Sequence, residues 1–276
     1  MRARDLLAAG TRALSGAEAR VEAELLLVQA LGVSRAWLVA HADDEVEDTR
    51  RVAFEALVAR RARGEPVAYI TGSRGFHALE LHLTPDVLIP RAETELLVEL
   101  ALARIPVDAK WRIADLGTGS GAIALSIARG RPRARVLATD ASATALDVAL
   151  ANARSLRLPN VEFAQGDWCA ALGDARDFDL IVSNPPYIAE GDPHLREGDL
   201  RFEPRAALAS GADGLDAIRM IIRDARSHLR EGGWLLMEHG FEQGEAVRGL
   251  LQQSGYRDVF TERDLEGRER VSAGRR

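Results

Sequence analysis

The most specific chemistry in the chain is carried by Ser183-Asn184-Pro185-Pro186-Tyr187. The run follows the apolar stretch Phe178-Asp179-Leu180-Ile181-Val182, which predicts a buried strand ending in a rigid loop. Each proline lacks a backbone N–H and has a fixed φ, and a residue before proline is pushed toward extended geometry. Asn184 and Pro185 are both held extended in this way, so the loop offers carbonyls rather than donors. An Asn side-chain oxygen, a fixed carbonyl and an aromatic face together suit a planar NH2 group. Asn-Pro also marks ordinary turns, and the choice depends on whether a second reactant has a seat nearby.

Such a seat is readable upstream. Ile113-Ala114-Asp115-Leu116 reads as a short buried strand, followed by Gly117-Thr118-Gly119-Ser120-Gly121 and an apolar helix from Ala122 to Ala128. Glycines let a backbone turn tightly against a ligand, and the helix N-terminus offers free N–H groups. The spacing D-x-G-x-G-x-G differs from the G-x-G-x-x-G of nicotinamide dehydrogenases. It is the spacing associated with S-adenosylmethionine (SAM), a cofactor without a pyrophosphate, so Gly117, Thr118, Gly119, Ser120 and Gly121 are expected to pack on its methionine end. The next strand, Arg135 to Thr139, ends at Asp140, where an acid accepts hydrogen bonds from ribose hydroxyls. A third strand at Val161-Glu162-Phe163 leads to Gln165-Gly166-Asp167-Trp168. There Asp167 can accept from an adenine amine and Trp168 can pack on the ring. With Asn184, these are four polar strand ends, and ligands of open α/β sheets bind at such carboxyl edges.

The elements that must position these groups divide the chain. Residues 1–72 read as a helical domain, with Ser15 as N-cap of Ala17–Leu31, Gly32 as a stop, and a helix over Asp43–Arg63 ended by Gly64 and Pro66. These helices are either a solvated cap that only stabilises or a docking surface for a protein partner. Residues 73–90 read as a β-hairpin linker, with one strand over Phe76–Leu83, a turn at Thr84-Pro85-Asp86 and a second at Val87-Leu88-Ile89. In Pro90-Arg91-Ala92-Glu93-Thr94-Glu95 the charged residues either latch over the cofactor or merely start a solvated helix that runs to about Arg104. Residues 91–276 form the α/β domain, a mostly parallel Rossmann-like sheet with an antiparallel last strand. It includes a long polar loop from Ala189 to about Arg205, whose length favours a lid or binding role, and final strands over Tyr256–Thr261 and Arg268–Ser272.

The composition bounds the rest. The chain has 276 residues, 47% hydrophobic, and a formal net charge of −6, which argues against a broadly basic phosphate-binding face. Cys169 is the only cysteine, so no intramolecular disulfide forms and a reducing compartment is expected. The charged N-terminus does not read as a signal peptide, and no run reaches the roughly 18 apolar residues of a membrane span. A soluble cytoplasmic protein, acting as a monomer and away from membranes, is expected. The histidines and Cys169 show no metal-ligand spacing, so no metal site is expected. His239 beside Glu238 reads as structural, and Ser120 does not sit in a nucleophile elbow.

Taken together, these residues resemble the N5-glutamine methyltransferases of peptide-chain release factors over almost the whole length. The resemblance rests on I-P-R-A-E-T-E at 89–95, D-L-G-T-G-S-G at 115–121, Asp140, Q-G-D-W at 165–168, S-N-P-P-Y-I at 183–188 and F-E-P-R-A-A-L at 202–208. N-P-P-Y alone is shared with amino-methylating enzymes of DNA and RNA; the first and last segments narrow it. Ala92 departs from the Pro of many relatives, with no functional effect expected. The resemblance implies a SAM-dependent methyltransferase fold and a helical domain that helps hold the release factor. It also implies an acceptor glutamine in a Gly-Gly-Gln loop, with no direct nucleic acid required. Asn184, Pro185 and Tyr187 are then the catalytic residues, joined by Pro186 in binding the substrate amide, and Asn184 also borders the cofactor. Other readings are an adenine or guanine amino-methyltransferase, against which the slightly acidic helical domain speaks, and a non-catalytic SAM-binding protein, which would not need N-P-P-Y. A nicotinamide oxidoreductase is disfavoured by the glycine spacing.

Overall fold

A computed structural model describes residues 1–276, which fold as two compact units. The smaller comprises Met1–Ser73 and Gly198–Phe202; the larger comprises Arg74–Glu197 and Glu203–Arg276. No helix is long and apolar enough to cross a membrane.

The smaller unit holds α1 (Ala3–Ala13), α2 (Ala19–Leu31), α3 (Arg35–Ala40), α4 (Asp48–Ala62) and α5 (Val67–Thr71). Their apolar stripes meet in a core of Leu6, Leu26, Leu27, Phe54 and Val58. Gly10 lets α1 approach α4, since a Cβ there would sit 2.5 Å from the Phe54 ring. Gly32 ends α2 in the left-handed conformation, as its position predicts. Ser15 does not cap this helix, which starts only at Ala19 with no side-chain cap; Ser34 instead caps α3, accepting from Trp37 N at 3.1 Å. Arg61 joins Glu22 to Asp199, so residues from distant parts of the sequence close this unit.

The hairpin is shorter than its alternation predicts. It pairs β1 (Ser73–Phe76) with β2 (Leu79–His82), and Val87-Leu88-Ile89 forms no strand. The turn lies at His77 and Ala78, both at positive φ (43° and 61°), the conformation of a two-residue turn that matches strand twist. Nor is residues 74–90 a free linker, for it groups with the larger unit. There Asn152 accepts from His82 N at 2.8 Å and donates to His82 O at 3.0 Å, meeting the open edge of β2 as a neighbouring strand would.

The larger unit then runs α6 (Glu95–Arg104), β3 (Arg112–Leu116), α7 (Ala122–Gly130), β4 (Arg135–Asp140), α8 (Ala143–Ser155), β5 (Val161–Gln165) and β6 (Phe178–Ser183). After a loop of short 3-10 turns come α9 (Asp216–His228), β7 (Leu229–Glu238), α10 (Gly244–Gln253), β8 (Arg257–Arg263) and β9 (Glu269–Arg275). The sheet order is β5-β4-β3-β6-β7-β9-β8, with parallel pairing up to β7 and antiparallel pairing at β7–β9 and β9–β8. This is the mostly parallel α/β architecture with an antiparallel end that the sequence predicts. The outer strand β8 departs from regular pairing between Arg257 and Phe260 and again at Glu262–Arg263. Strands β3, β4 and β6 are apolar on both faces, as buried parallel strands must be, and their register places the site. Leu116 pairs with Thr139 on one side and Ser183 on the other, while Asp140 pairs with Gln165 and Ser183 with Met237. Each of these strands therefore ends at one level, and the chain order reverses between β3 and β6, the switch point where such sheets bind ligands.

Candidate active site

At that edge lies a cleft of about 370 Å³, lined by Pro85–Leu88, Gly117, Gly119, Asp140–Ser142, Gly166–Trp168, Asn184, Pro186 and Pro204, among others. Its size falls in the range of small-molecule sites, roughly 300–1,000 Å³.

The glycine loop is shaped by hydrogen bonds that its sequence makes available. Gly117 N and Thr118 N both donate to Thr139 O, at 2.9 and 2.8 Å, which folds the loop over the end of β4. Gly117 has φ +73°, and a Cβ there would lie 2.9 Å from the Trp168 ring; Gly119 has φ +54° with open space where a Cβ would stand. Asp140 accepts from Gly119 N and Ser142 N, each at 2.9 Å, which leaves lone pairs on both oxygens. Asp115 is fully buried: its Oδ2 accepts from the Thr118 hydroxyl at 2.7 Å and Ala124 N at 3.1 Å, while Oδ1 has no partner. Burial pushes its pKa up to about 7, against the pull of those two donors and with a further lift from Asp140. Asn152 also donates to Ser120 O at 2.9 Å, tying the glycine loop to α8.

Of the predicted cofactor residues, Gly117, Gly119, Asp140, Asp167, Trp168 and Asn184 line the cleft. Thr118, Ser120 and Gly121 do not. Thr118 turns to Asp115, Ser120 is buried, and Gly121 packs on Leu125 and Ala149. Of the second cluster, Asn184 and Pro186 line it, whereas Pro185 and Tyr187 stand back from it.

The loop after β6 is held from behind. Ser183 Oγ donates to Leu116 O at 2.7 Å, locking β6 to β3 at the switch point. Asn184 Nδ2 donates to Thr94 Oγ1 at 3.1 Å, and Tyr187 Oη donates to Glu238 Oε1 at 3.2 Å. Gln243 Nε2 donates to Tyr187 O at 3.0 Å, and Ile188 pairs with Ala209, which closes the base of the loop between them. Glu238, at the end of β7, is buried and pushed up to about 7 by that burial, with Thr94, Arg270 and Tyr187 opposing the rise. Burial and the neighbouring Glu238 raise the Tyr187 hydroxyl, which therefore remains a donor.

Arg91 and Glu203 belong to the two segments that narrow the resemblance, and they meet. The fully buried Glu203 carboxylate accepts from Arg91 Nη2 and, at 3.0 Å, from Ile89 N. Of the two readings of the charged start of α6, neither a cofactor latch nor a solvated face describes this: Arg91 staples two segments of the cleft wall. Thr94, Asn152, Glu203 and Glu238 are the residues that sequence reasoning missed as parts of the site. Thr94 and Glu203 lay within recognised segments, but their partners are distant in sequence and no local period points to them. His239 is structural, as expected: it is buried, bonded to Gly240 O and Ser272 Oγ at 2.8 Å each, and held neutral by burial.

A family model of the PrmC N-terminal domain matches residues 5–72, and one of the methyltransferase small domain matches residues 92–197. The release factor glutamine methyltransferase of Xylella fastidiosa is 56% identical over 98% of this chain and 96% of its own length. Its counterpart from Escherichia coli is 46% identical over 93% of this chain and 92% of its own length. Among solved structures, a methyltransferase from Pyrococcus furiosus shares the fold, with a TM-score of 0.54 at 17% identity, over 79% of this chain and 96% of that one. With such identity across nearly the whole length, and a methyltransferase sheet whose strand ends carry the expected groups, the chain belongs to the release factor glutamine methyltransferase family.

Proposed function

We propose that this enzyme transfers a methyl group from SAM to the side-chain amide nitrogen of the glutamine in the Gly-Gly-Gln loop of peptide-chain release factors. One observation carries the reading. Asn184 lines the cleft and points one N–H of its amide back to Thr94, which leaves the acceptor Oδ1 without a partner. An acceptor is what an incoming amide NH2 requires.

The cleft residues fit the donor. Gly117 and Gly119 keep side chains off the wall, Asp140 has lone pairs for ribose hydroxyls, and Asp167 is exposed beside the Trp168 ring for the adenine. Asp115, fully buried behind the glycine loop, holds it in shape through the Thr118 hydroxyl and Ala124 N. When bound, SAM supplies an electrophilic methyl group on a sulfonium. An amide nitrogen is a weak nucleophile because its lone pair is delocalised, and its protons are too weakly acidic for a carboxylate or imidazole to remove. No general base is therefore assigned. Asn184 Oδ1 and the Pro185 carbonyl would accept the two N–H bonds, orient the nitrogen and offset the positive charge that grows on it. The N–C bond forms as the S–C bond breaks, and the methylated nitrogen then releases one proton to solvent. Tyr187, anchored through Glu238, would lend its ring to the amide plane, and Pro186 would complete the substrate wall.

The test supplies labelled SAM with purified release factor or with total RNA and DNA. Label is expected in the release factor, at its Gly-Gly-Gln glutamine. Asn184→Ala should keep SAM binding and lose on the order of 100-fold or more in turnover. Label confined to nucleic acid, or near-normal turnover of that variant, would overturn the reading.

A further inference from the structure

The turn between β7 and α10 grips the residue that ends the Asn184–Tyr187 loop. Gln243, half-buried in that turn, donates from Nε2 to Tyr187 O at 3.0 Å and to Asp213 O at 3.3 Å, while its Oε1 accepts from Gly240 N at 2.9 Å. Gly240 O in turn accepts from Gln243 N at 2.9 Å, so the amide is carried by a turn that is itself closed. With Oε1 committed to Gly240, the NH2 faces the two carbonyls. Room for the bond to Tyr187 O is kept by Gly214, at φ +77°, where a Cβ would stand 2.2 Å from that oxygen and 2.9 Å from Gln243 Nε2. At the far end of the same residue, the Tyr187 hydroxyl reaches Glu238, the last residue of β7. Tyr187 is therefore fixed both at its main chain and at its ring tip.

The main-chain contact matters because of what precedes it. Pro185 and Pro186 have no N–H, so backbone donors cannot fix the loop at those positions, and their φ angles are locked. Few soft torsions then separate Tyr187 O from the Pro185 carbonyl, and a displacement of the first passes on to the second. We propose that Gln243 is a positioning residue for methyl transfer, a role that rests on the acceptor reading of Asn184 and Pro185 given above. By holding Tyr187 O it sets where the Pro185 carbonyl and the Tyr187 ring meet the substrate amide. Neither Gln243 nor Tyr187 lines the cleft assigned to SAM, so the effect falls on transfer and not on cofactor binding.

Methyl transfer to release factor, SAM affinity and thermal stability would be measured for Gln243→Met, Gln243→Glu and Asn184→Ala. Gln243→Met keeps the length of the side chain and removes its amide. It should lower kcat by on the order of 10- to 100-fold, with the Kd for SAM and the KM for release factor within about threefold of wild type. Gln243→Glu keeps an acceptor for Gly240 N but, when ionised, turns a charged oxygen on two carbonyls. Protonation restores a donor to Tyr187 O, so its kcat relative to wild type should climb at least about fivefold as pH falls from about 8.5 to about 6. A side chain that only stabilised the fold would lower the melting temperature and leave that ratio flat. Wild-type kcat in Gln243→Met, a loss accounted for by weaker SAM binding, or a flat ratio in Gln243→Glu would overturn the positioning role. Should Gln243→Met fail to fold, the pH response of Gln243→Glu decides. Loss in Asn184→Ala with normal turnover in Gln243→Met overturns this role alone, whereas an active Asn184→Ala overturns the proposed function.

Discussion

Removing the Arg91 guanidinium should loosen the cofactor cleft without touching any residue that lines it. Glu203 is fully buried and has two donors, Arg91 Nη2 on one oxygen and Ile89 N on the other at 3.0 Å. Arg91→Ala leaves that carboxylate with one donor. A hydrogen bond to a charged group contributes about 1.5–3 kcal/mol, and stranding a buried charge costs about 3–5 kcal/mol. The Arg91 side chain is 32% exposed, so water replaces part of what is lost and the estimate settles near 2 kcal/mol. The cost falls on the cleft because Pro85–Leu88 immediately precede Ile89 and Pro204, Ala206 and Ala207 immediately follow Glu203, all of them lining residues. At about 1.4 kcal/mol per decade, SAM should bind roughly 10- to 30-fold more weakly. Isothermal titration with SAM would compare wild type, Arg91→Ala, Glu203→Gln and the pair, with Arg91→Lys to separate charge from the planar fork. The pair should be less than additive. A Kd within about twofold of wild type in Arg91→Ala would refute the staple, given that differences this small lie within ordinary surface-substitution effects.

Three further outcomes follow from the same geometry. Gly117→Ala forces a Cβ to within 2.9 Å of the Trp168 ring at a φ of +73°. It should displace the indole, weaken SAM binding at least about tenfold, and destabilise by over 1 kcal/mol; an unchanged near-ultraviolet dichroism and Kd would count against it. Burial raises Glu238 from 4.5 to about 7, so the unfolded chain ionises this group first. Its favourable contribution is present below about pH 4.5 and lost as pH rises through about 7, on the order of 3 kcal/mol. Thermal melts should therefore show Glu238→Gln gaining stability relative to wild type between about pH 5 and pH 8, and a pH-independent difference would refute this. Burial pushes the Cys169 thiol up to about 12, so it should resist a disulfide reagent in the native enzyme and react only in denaturant; rapid native labelling would show the thiol to be accessible.

Much of the site was legible because its groups sit at strand ends with strong local signals. The apolar runs before Gly117, Asp140 and Asn184 mark parallel strands, and each polar residue that follows one lies at the carboxyl edge. What was not legible is what depends on side chains meeting over long separations. The sequence places Thr94 at a helix start and Glu238 at a strand end, but not that Thr94 meets Asn184 and Glu238 meets Tyr187, because no period relates them. The hairpin was misjudged for a related reason. Alternation over Phe76–Leu83 fits one long strand, yet His77 and Ala78 both adopt positive φ without the Gly or Asn that usually announces such a turn. Ser15 shows that a capping residue is a possibility offered to a helix; α2 starts later, where its buried face begins with Ala19.

The irregular outer strand β8 bears on how this molecule survives at high concentration. An open sheet leaves a row of unpaired amides and carbonyls that can template aggregation. On β8 that hazard is met by two breaks in register, an Asp258 at φ +50°, and charged residues at both ends, Arg257 and Asp258 at one and Glu262 and Arg263 at the other. A second molecule laid alongside would have to desolvate those charges and match an irregular backbone. The antiparallel addition beyond β7 thus gives the sheet a guarded margin and covers the apolar strand that would otherwise be exposed there.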